Sequence, residues 1–448
     1  MFKKFWFCFL GATNICLFSC VTRQNLDNPE KTHFLKFYGK DGDQTGKDLV
    51  ILQDGNFMLF GTSKLTGENR NSQWYLVKVD PKGYVIWEKT FGGLYEETAS
   101  DIELTDNGVV LVGNSFNETG FSKVFVMTLT FEGVEINRAV IGLETPINPQ
   151  TNEDAKSVTV IPNGFLIAGS TTSTGLKSNA PSIIDNQGNN AVDIMDAFHL
   201  RLNSDLTEYP AQLWTKTHGP GSVDVGIKIL PGNSAIFPFY FFGYSNKTGF
   251  LGQSTSRTDF NFWYFGLNEF GESSGDFHLG DFTTIEKLAS VSVSLTRPEE
   301  GFILGGFTSE TVNAGSSYFF ISKVINDLSF NKSDEQFETT LQYPIAGGTN
   351  SNMAILVSNF GGFWVLGNEP SFAEIQKQNW ILIRLDGNGK TVWNYPLVFG
   401  GEGLDICGGI QELSDGHLLI IGSMRTGKPE VGEYKMTLIK VNSDGLLF

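Results

Sequence analysis

The residues able to do chemistry in this 448-residue chain are scattered rather than assembled. Five histidines, His33, His199, His218, His278 and His417, share no spacing that would bring two of them to one metal ion, so each reads as a strand or turn residue. Asp41-Gly42-Asp43 and Asp185-Asn186-Gln187-Gly188-Asn189 space oxygen atoms as a calcium loop would. Asp and Asn also dominate ordinary turns, because their side chains bond the backbone two residues on. No metal and no cofactor is therefore expected. The 49 Asp and Glu residues are spread along the chain, with no clustered arginines and no carboxylate pair that reads as an acid and a base, so an enzyme is not expected either. Glycine-rich stretches such as Phe399-Gly400-Gly401-Glu402-Gly403 recur at intervals and belong to the architecture rather than to a phosphate cradle.

The most specific chemical signal lies near the N-terminus. Lys3 and Lys4 precede an apolar run, Phe5 to Phe18, which is too short to span a bilayer comfortably and ends in Leu17-Phe18-Ser19-Cys20. That ending resembles the lipobox of bacterial lipoproteins: an apolar residue, a variable one, a small one, then cysteine. The resemblance implies that residues 1–19 are a signal peptide, that Cys20 carries lipid, and that residues 20–32 form a tether. It further implies anchoring in the outer membrane. Val21 is not the aspartate associated with inner-membrane retention, and Asp27 and Glu30 resemble the acidic export signals of surface lipoproteins. The cell surface is therefore favoured over the periplasmic face.

Cleavage also settles the cysteines. Cys8 and Cys16 leave, Cys20 is lipidated, and only Cys407 remains, so the exported chain has no internal disulfide and must stand on core burial. Cys407 reads as a small buried hydrophobe. Without Lys3 and Lys4 there are 30 basic and 49 acidic residues, a net charge near −19, which excludes nucleic acid as a partner.

What must position these residues is a repeat. A turn residue, glycine, a short apolar run and a closing glycine recur at Gly61, Gly113, Gly169, Gly243, Gly306, Gly367 and Gly422, spaced 52, 56, 74, 63, 61 and 55 residues apart. The first copy is the clearest. Strand-like runs at Lys47–Leu52, Asn56–Thr62, Trp74–Asp80 and Tyr84–Thr90 are joined by turns at Asp54-Gly55 and Pro81-Lys82-Gly83, and close at Phe91-Gly92-Gly93. A tryptophan recurs in the fourth strand as Trp87, Trp214 and Trp393. The only plausible helix is a short one over Phe282 to Ala289. A four-stranded meander of this size cannot bury both faces alone, whereas seven stacked radially can. The expected fold is all-β, a seven-bladed β-propeller over residues 33–448. The last repeat supplies only three strands, and Thr32 to Gly39 reads as an orphan fourth strand that completes it and removes an open edge.

The consensus of Asp-Gly-Gly, aromatic, apolar run, glycine, Lys-apolar-Asp, glycine, tryptophan and Phe-Gly-Gly resembles the propeller repeats of secreted and surface lipoproteins of the Bacteroidota. Copies one and six match almost throughout, whereas copies two, four and five have lost the tryptophan. Asp386-Gly387-Asn388-Gly389-Lys390-Thr391-Val392-Trp393 sets aspartate seven residues before tryptophan, not the five of the sialidase Asp box, and reads as a hairpin turn.

Meander geometry places the tight first–second and third–fourth turns on one face and the long loops and blade junctions on the other. The long stretches are Gly142–Ala155, Ser170–Asp196 and Tyr244–Phe260. Loops on a rigid scaffold are where binding usually resides. The tether, about 40 Å when extended, should leave from the tight-turn face, so the loops point away from the membrane. The expected function is a non-enzymatic interaction or scaffold module, an accessory subunit of an outer-membrane complex. Its partner-binding residues are expected among Tyr95, Phe116, Phe250 and Phe282. The alternative is a glycan-binding surface lipoprotein in which these aromatics stack on sugars, and after that a carbohydrate-active enzyme.

Overall fold

The computed structural model describes residues 33–66, 71–143, 150–172, 195–209, 216–218, 223–232, 234–246, 260–280, 284–294, 301–309, 317–324, 337–344, 352–370, 378–401, 403–427 and 432–447. Cys20, the tether, Trp214, Phe250, Phe282 and the 185–189 loop lie outside these residues.

The chain opens with β1 (Phe34–Tyr38), and blade one follows as β2 (Asp43–Ile51), β3 (Phe57–Lys64), β4 (Gln73–Val79) and β5 (Val85–Phe91). Blade two is β6 (Glu97–Thr105), β7 (Gly108–Phe116), β8 (Ser122–Thr130) and β9 (Glu135–Ile141). Blade three is β10 (Glu153–Ile161), β11 (Gly164–Thr171), β12 (Asp196–Asn203) and β13 (Lys216–His218). Blade four is β14 (Asp224–Pro231), β15 (Phe239–Ser245), β16 (Asn261–Leu267) and β17 (Ser273–Leu279). Blade five is β18 (Ile285–Val293), β19 (Phe302–Ser309), β20 (Ser317–Val324) and β21 (Phe337–Pro344). Blade six is β22 (Met353–Val357), β23 (Phe363–Pro370), β24 (Gln378–Leu385) and β25 (Leu397–Phe399). Blade seven is β26 (Ile406–Glu412), β27 (Leu418–Thr426) and β28 (Glu433–Val441), completed on its outer side by β1. The fold is a seven-bladed propeller of antiparallel four-stranded sheets, closed by the N-terminal strand as the sequence predicts.

Two local expectations are corrected. Residues 285–289 are not helical but open β18, paired with β19 along its length. A bulge between Leu288 and Ser290 slips the two-residue alternation by one, so Leu288 and Val291 fall on one face at helix-like spacing while remaining on a strand. Trp393 precedes β25 rather than lying in it.

The repeating glycine has a steric cause. Six of the seven innermost strands, all but β22, carry a bulge, and the residue before each bulge pairs with the anchor glycine: Gly46 with Gly61, Ala99 with Gly113, Ala155 with Gly169. There the backbones close in. A Cβ at Gly61 would stand 1.8 Å from the Thr45 carbonyl oxygen, and one at Gly113 2.0 Å from that of Thr98. The space on the other side holds a side chain of the preceding blade. Trp74 approaches Gly113, Phe262 approaches Gly306, Trp380 approaches Gly422, and Met436 of blade seven approaches Gly61.

The hydrophobic core accordingly forms slabs between neighbouring blades. Phe60, Trp74 and Leu76 of blade one pack on Leu111, Phe125 and Met127 of blade two, with the Trp74 and Phe125 rings stacked at 4.3 Å. The slab between blades seven and one, in which Leu419, Ile421 and Leu438 pack against Leu49 and Leu59, closes the circle.

Candidate functional site

Two places stand out: the rim of the loop face and the propeller axis. At the rim, Tyr95 lies between β5 and β6, and Phe116 ends β7. The Phe116 amide donates to the Glu96 carbonyl at 2.9 Å, and Lys64 binds the Glu96 carboxylate at 3.0 Å. These bonds bring Tyr95 and Phe116 together on the loop face of blades one and two. Leu94 beside them is 84% exposed and Tyr95 39%. Phe250 and Phe282 fall outside the described residues.

The axis is lined by the seven innermost strands, whose inner edges have no strand partner. Polar side chains just past the bulges serve those edges instead. Asp101 accepts the Val158 amide of the next blade at 2.9 Å and its own neighbour Ile102 at 3.1 Å. Ser290 accepts the Ile355 amide at 3.1 Å. Around them is a channel of about 890 Å³ lined by Lys47, Asp48, Asp101, Lys156, Lys228 and Lys287 among others.

A charged group spans this channel. Lys228 of β14 reaches across to Asp101 at 3.3 Å and Glu103 at 3.2 Å, both on β6. Burial opposes its charge, but the carboxylates of Asp101, Glu103 and Asp48 outweigh burial and hold the ammonium well above its ordinary pKa. Asp48 is the counterpart. Burial, then the negative charge of Asp101 and a hydrogen bond to it, push the Asp48 carboxyl well above the usual range. Asp48 and Asp101 thus form a carboxyl pair that shares a hydrogen bond between blades one and two. Burial first, and Asp101 in addition, also raise Glu103 against the pull of Lys228.

None of this group was legible as a site in the sequence. Asp48, Asp101, Ser157, Lys228 and Ser290 each follow a bulge, yet they lie 13, 12, 12, 15 and 16 residues before their anchor glycines. Only strand pairing shows them to be equivalent.

The glycine-rich junctions are structural, as expected. A buried acid three residues before the bulge closes on each: a Cβ at Gly92 would stand 2.4 Å from Glu97, at Gly280 2.5 Å from Glu286, and at Gly400 2.7 Å from Asp405. Asp386 caps its own turn, accepting the amides of Asn388 and Lys390 at 2.9 Å. Asp43 accepts the Tyr434 amide at 2.9 Å, which spends it on joining the first and last blades. Cys407 is buried, and burial pushes its thiol up to about 12. Among the described residues no three His, Cys, Asp or Glu side chains group as a metal site.

No protein-family model and no curated protein matches the chain. Solved structures resemble it in fold. The periplasmic gluconolactonase PpgL of Pseudomonas aeruginosa is 12% identical, with a TM-score of 0.47 over 80% of this chain and 87% of that one. The polysaccharide lyase Uly1 is 9% identical, with a TM-score of 0.48 over 94% of each chain. The alpha-L-arabinofuranosidase Arb93A of Fusarium graminearum is 10% identical, with a TM-score of 0.45 over 92% of this chain and all of that one. These likenesses stop at the fold.

Proposed function

We propose that the protein is a lipid-anchored, non-enzymatic interaction module that presents the loop face of its propeller to a protein partner in an outer-membrane complex. The register of β1 carries this reading. Phe34 pairs with Lys440 at the tight-turn end of β28, so β1 begins at the tight-turn face. A lipid on Cys20 would hold that face toward the membrane and leave Leu94, Tyr95 and Phe116 at the far end.

The Asp48–Asp101 pair is not spaced as the two carboxyls of a glycosidase are. Asp48 and Asp101 share a hydrogen bond, whereas a glycosidase separates its two carboxyls by about 5 Å or more to admit the sugar or water.

Cross-linking and co-purification from native membranes tests the proposal. A stoichiometric outer-membrane protein is expected with the wild type and is lost with Leu94→Asp and Tyr95→Ala. A monomeric protein retained on a glycan array by the same aromatics would replace this reading with the glycan-binding one.

A further inference from the structure

We infer that the loop-side half of the axial channel binds a small polyhydroxylated monocarboxylate, its carboxylate seated between Lys47 and Lys156 and its hydroxyls against Asp48 and Tyr244. The site lies on the axis, away from the rim, and stands or falls independently of the partner proposed above.

The charge distribution points there. The chain carries 49 acidic and 32 basic residues, yet Lys47, Lys156 and Lys287 line the loop-side part of the channel with Asp154 as their nearby carboxylate. Lys156 is ion-paired with Asp154 at 2.6 Å. Lys47, an exposed side chain on the channel wall, makes no such direct ion pair among the described residues, and the loss of water around it, followed by the charge of Lys156, lowers its pKa. A cation held in this way against another cation gains from an anion between them.

The backbone aims these two side chains. Lys47 and Lys156 are both bulge residues, the extra residues that a bulge re-aims away from the strand alternation. The matching positions on four other strands are Ser100, Ile227, Ala289 and Gly408, none of them charged, so the lysines are the only cations at this level of the channel among the described bulge residues. A channel of about 890 Å³ is within the size of small-molecule sites, about 300–1,000 Å³.

The same surroundings define the ligand. No arginine lines the channel, so a bidentate phosphate fork is missing from the lining residues. The carboxylates of Asp101, Glu103 and Asp154 nearby oppose a second negative charge on the ligand. One negative charge flanked by neutral hydroxyls fits. Asp48 offers a carboxyl oxygen from blade one, and the Tyr244 phenol, donor and acceptor, lines the channel from blade four.

Calorimetric titration of the full chain with D-glucuronate, D-glucose and D-glucose 6-phosphate tests the inference. Saturable binding of glucuronate is expected, at least about tenfold tighter than glucose or the phosphate dianion. Lys47→Gln and Lys156→Gln should each weaken it about tenfold, with thermal melting unchanged, and added salt should weaken it in the wild type. Equal or tighter binding of either comparison ligand, no saturable binding of glucuronate, or indifference to Lys47→Gln would overturn it. If a lysine variant does not fold, the three-ligand comparison on the wild type decides alone.

Discussion

Phe34 lays its ring on Gly83, so closely that a Cβ on that glycine would stand 2.7 Å from the ring. Gly83 belongs to the third–fourth turn of blade one, and Phe34 to the outer strand of blade seven. The same contact recurs between other neighbours. A Cβ on Gly133 of blade two would stand 2.8 Å from the Trp87 ring of blade one, and one on Gly445 of blade seven 3.1 Å from the Trp393 ring of blade six. Phe34 is therefore the tryptophan equivalent of the last blade, delivered from the opposite end of the chain.

Removing this strand should open the ring. Deleting residues 33–38 leaves the outer edge of β28 unpaired and strips Tyr38 from the closing slab. Tyr38→Ala alone should cost about 3–5 kcal/mol. Tyr38→Phe, which loses only the 2.9 Å bond to the Gly83 carbonyl, should cost about 1 kcal/mol. Urea denaturation measures both, and an unchanged midpoint for the deletion would refute the closure.

Anchor and turn glycines should respond oppositely to alanine. Gly113→Ala places a methyl group against the Thr98 carbonyl and Trp74, and should cost about 2 kcal/mol or more. Gly387→Ala meets nothing within 4 Å and should stay within about 0.5 kcal/mol. Thermal melts of the two variants side by side make the comparison.

The buried junction acids should be costly to remove. Glu153 is fully buried and receives Lys123 at 3.1 Å, the Thr171 hydroxyl at 3.2 Å and the Leu143 amide at 3.3 Å. Glu153→Ala removes the buried carboxylate that the Lys123 ammonium, the Thr171 hydroxyl and the Leu143 amide share, at about 3–5 kcal/mol. Chemical denaturation that shows a loss under about 1 kcal/mol would contradict this account.

The axial pair predicts a pH dependence of definite sign. Folding raises the Asp48 pKa above its ordinary 3.8, so the stabilisation it gives is complete below that value and is lost as pH rises through the raised folded value. Asp48→Asn keeps a donor toward Asp101 without a titrating proton. As pH rises above the ordinary carboxyl range the wild type should lose stability relative to this variant. Parallel melting curves across that rise would be inconsistent with a shared proton.

The sequence by itself determined the blade. Alternating apolar residues, Asp-Gly turns and a glycine every fifty to seventy-five residues are local signals, and they specify strand number, turn positions and the orphan strand at Phe34. Long-range pairing decided the rest. Bulges between Leu288 and Ser290 and at the matching places shift side-chain phase by one residue, which disguised β18 as a helix and hid the equivalence of Asp48, Asp101 and Lys228. Those three residues are 53 and 127 positions apart in the chain. They meet because each innermost strand leaves its inner edge unpaired at the common axis, a property of the closed ring that no single repeat contains.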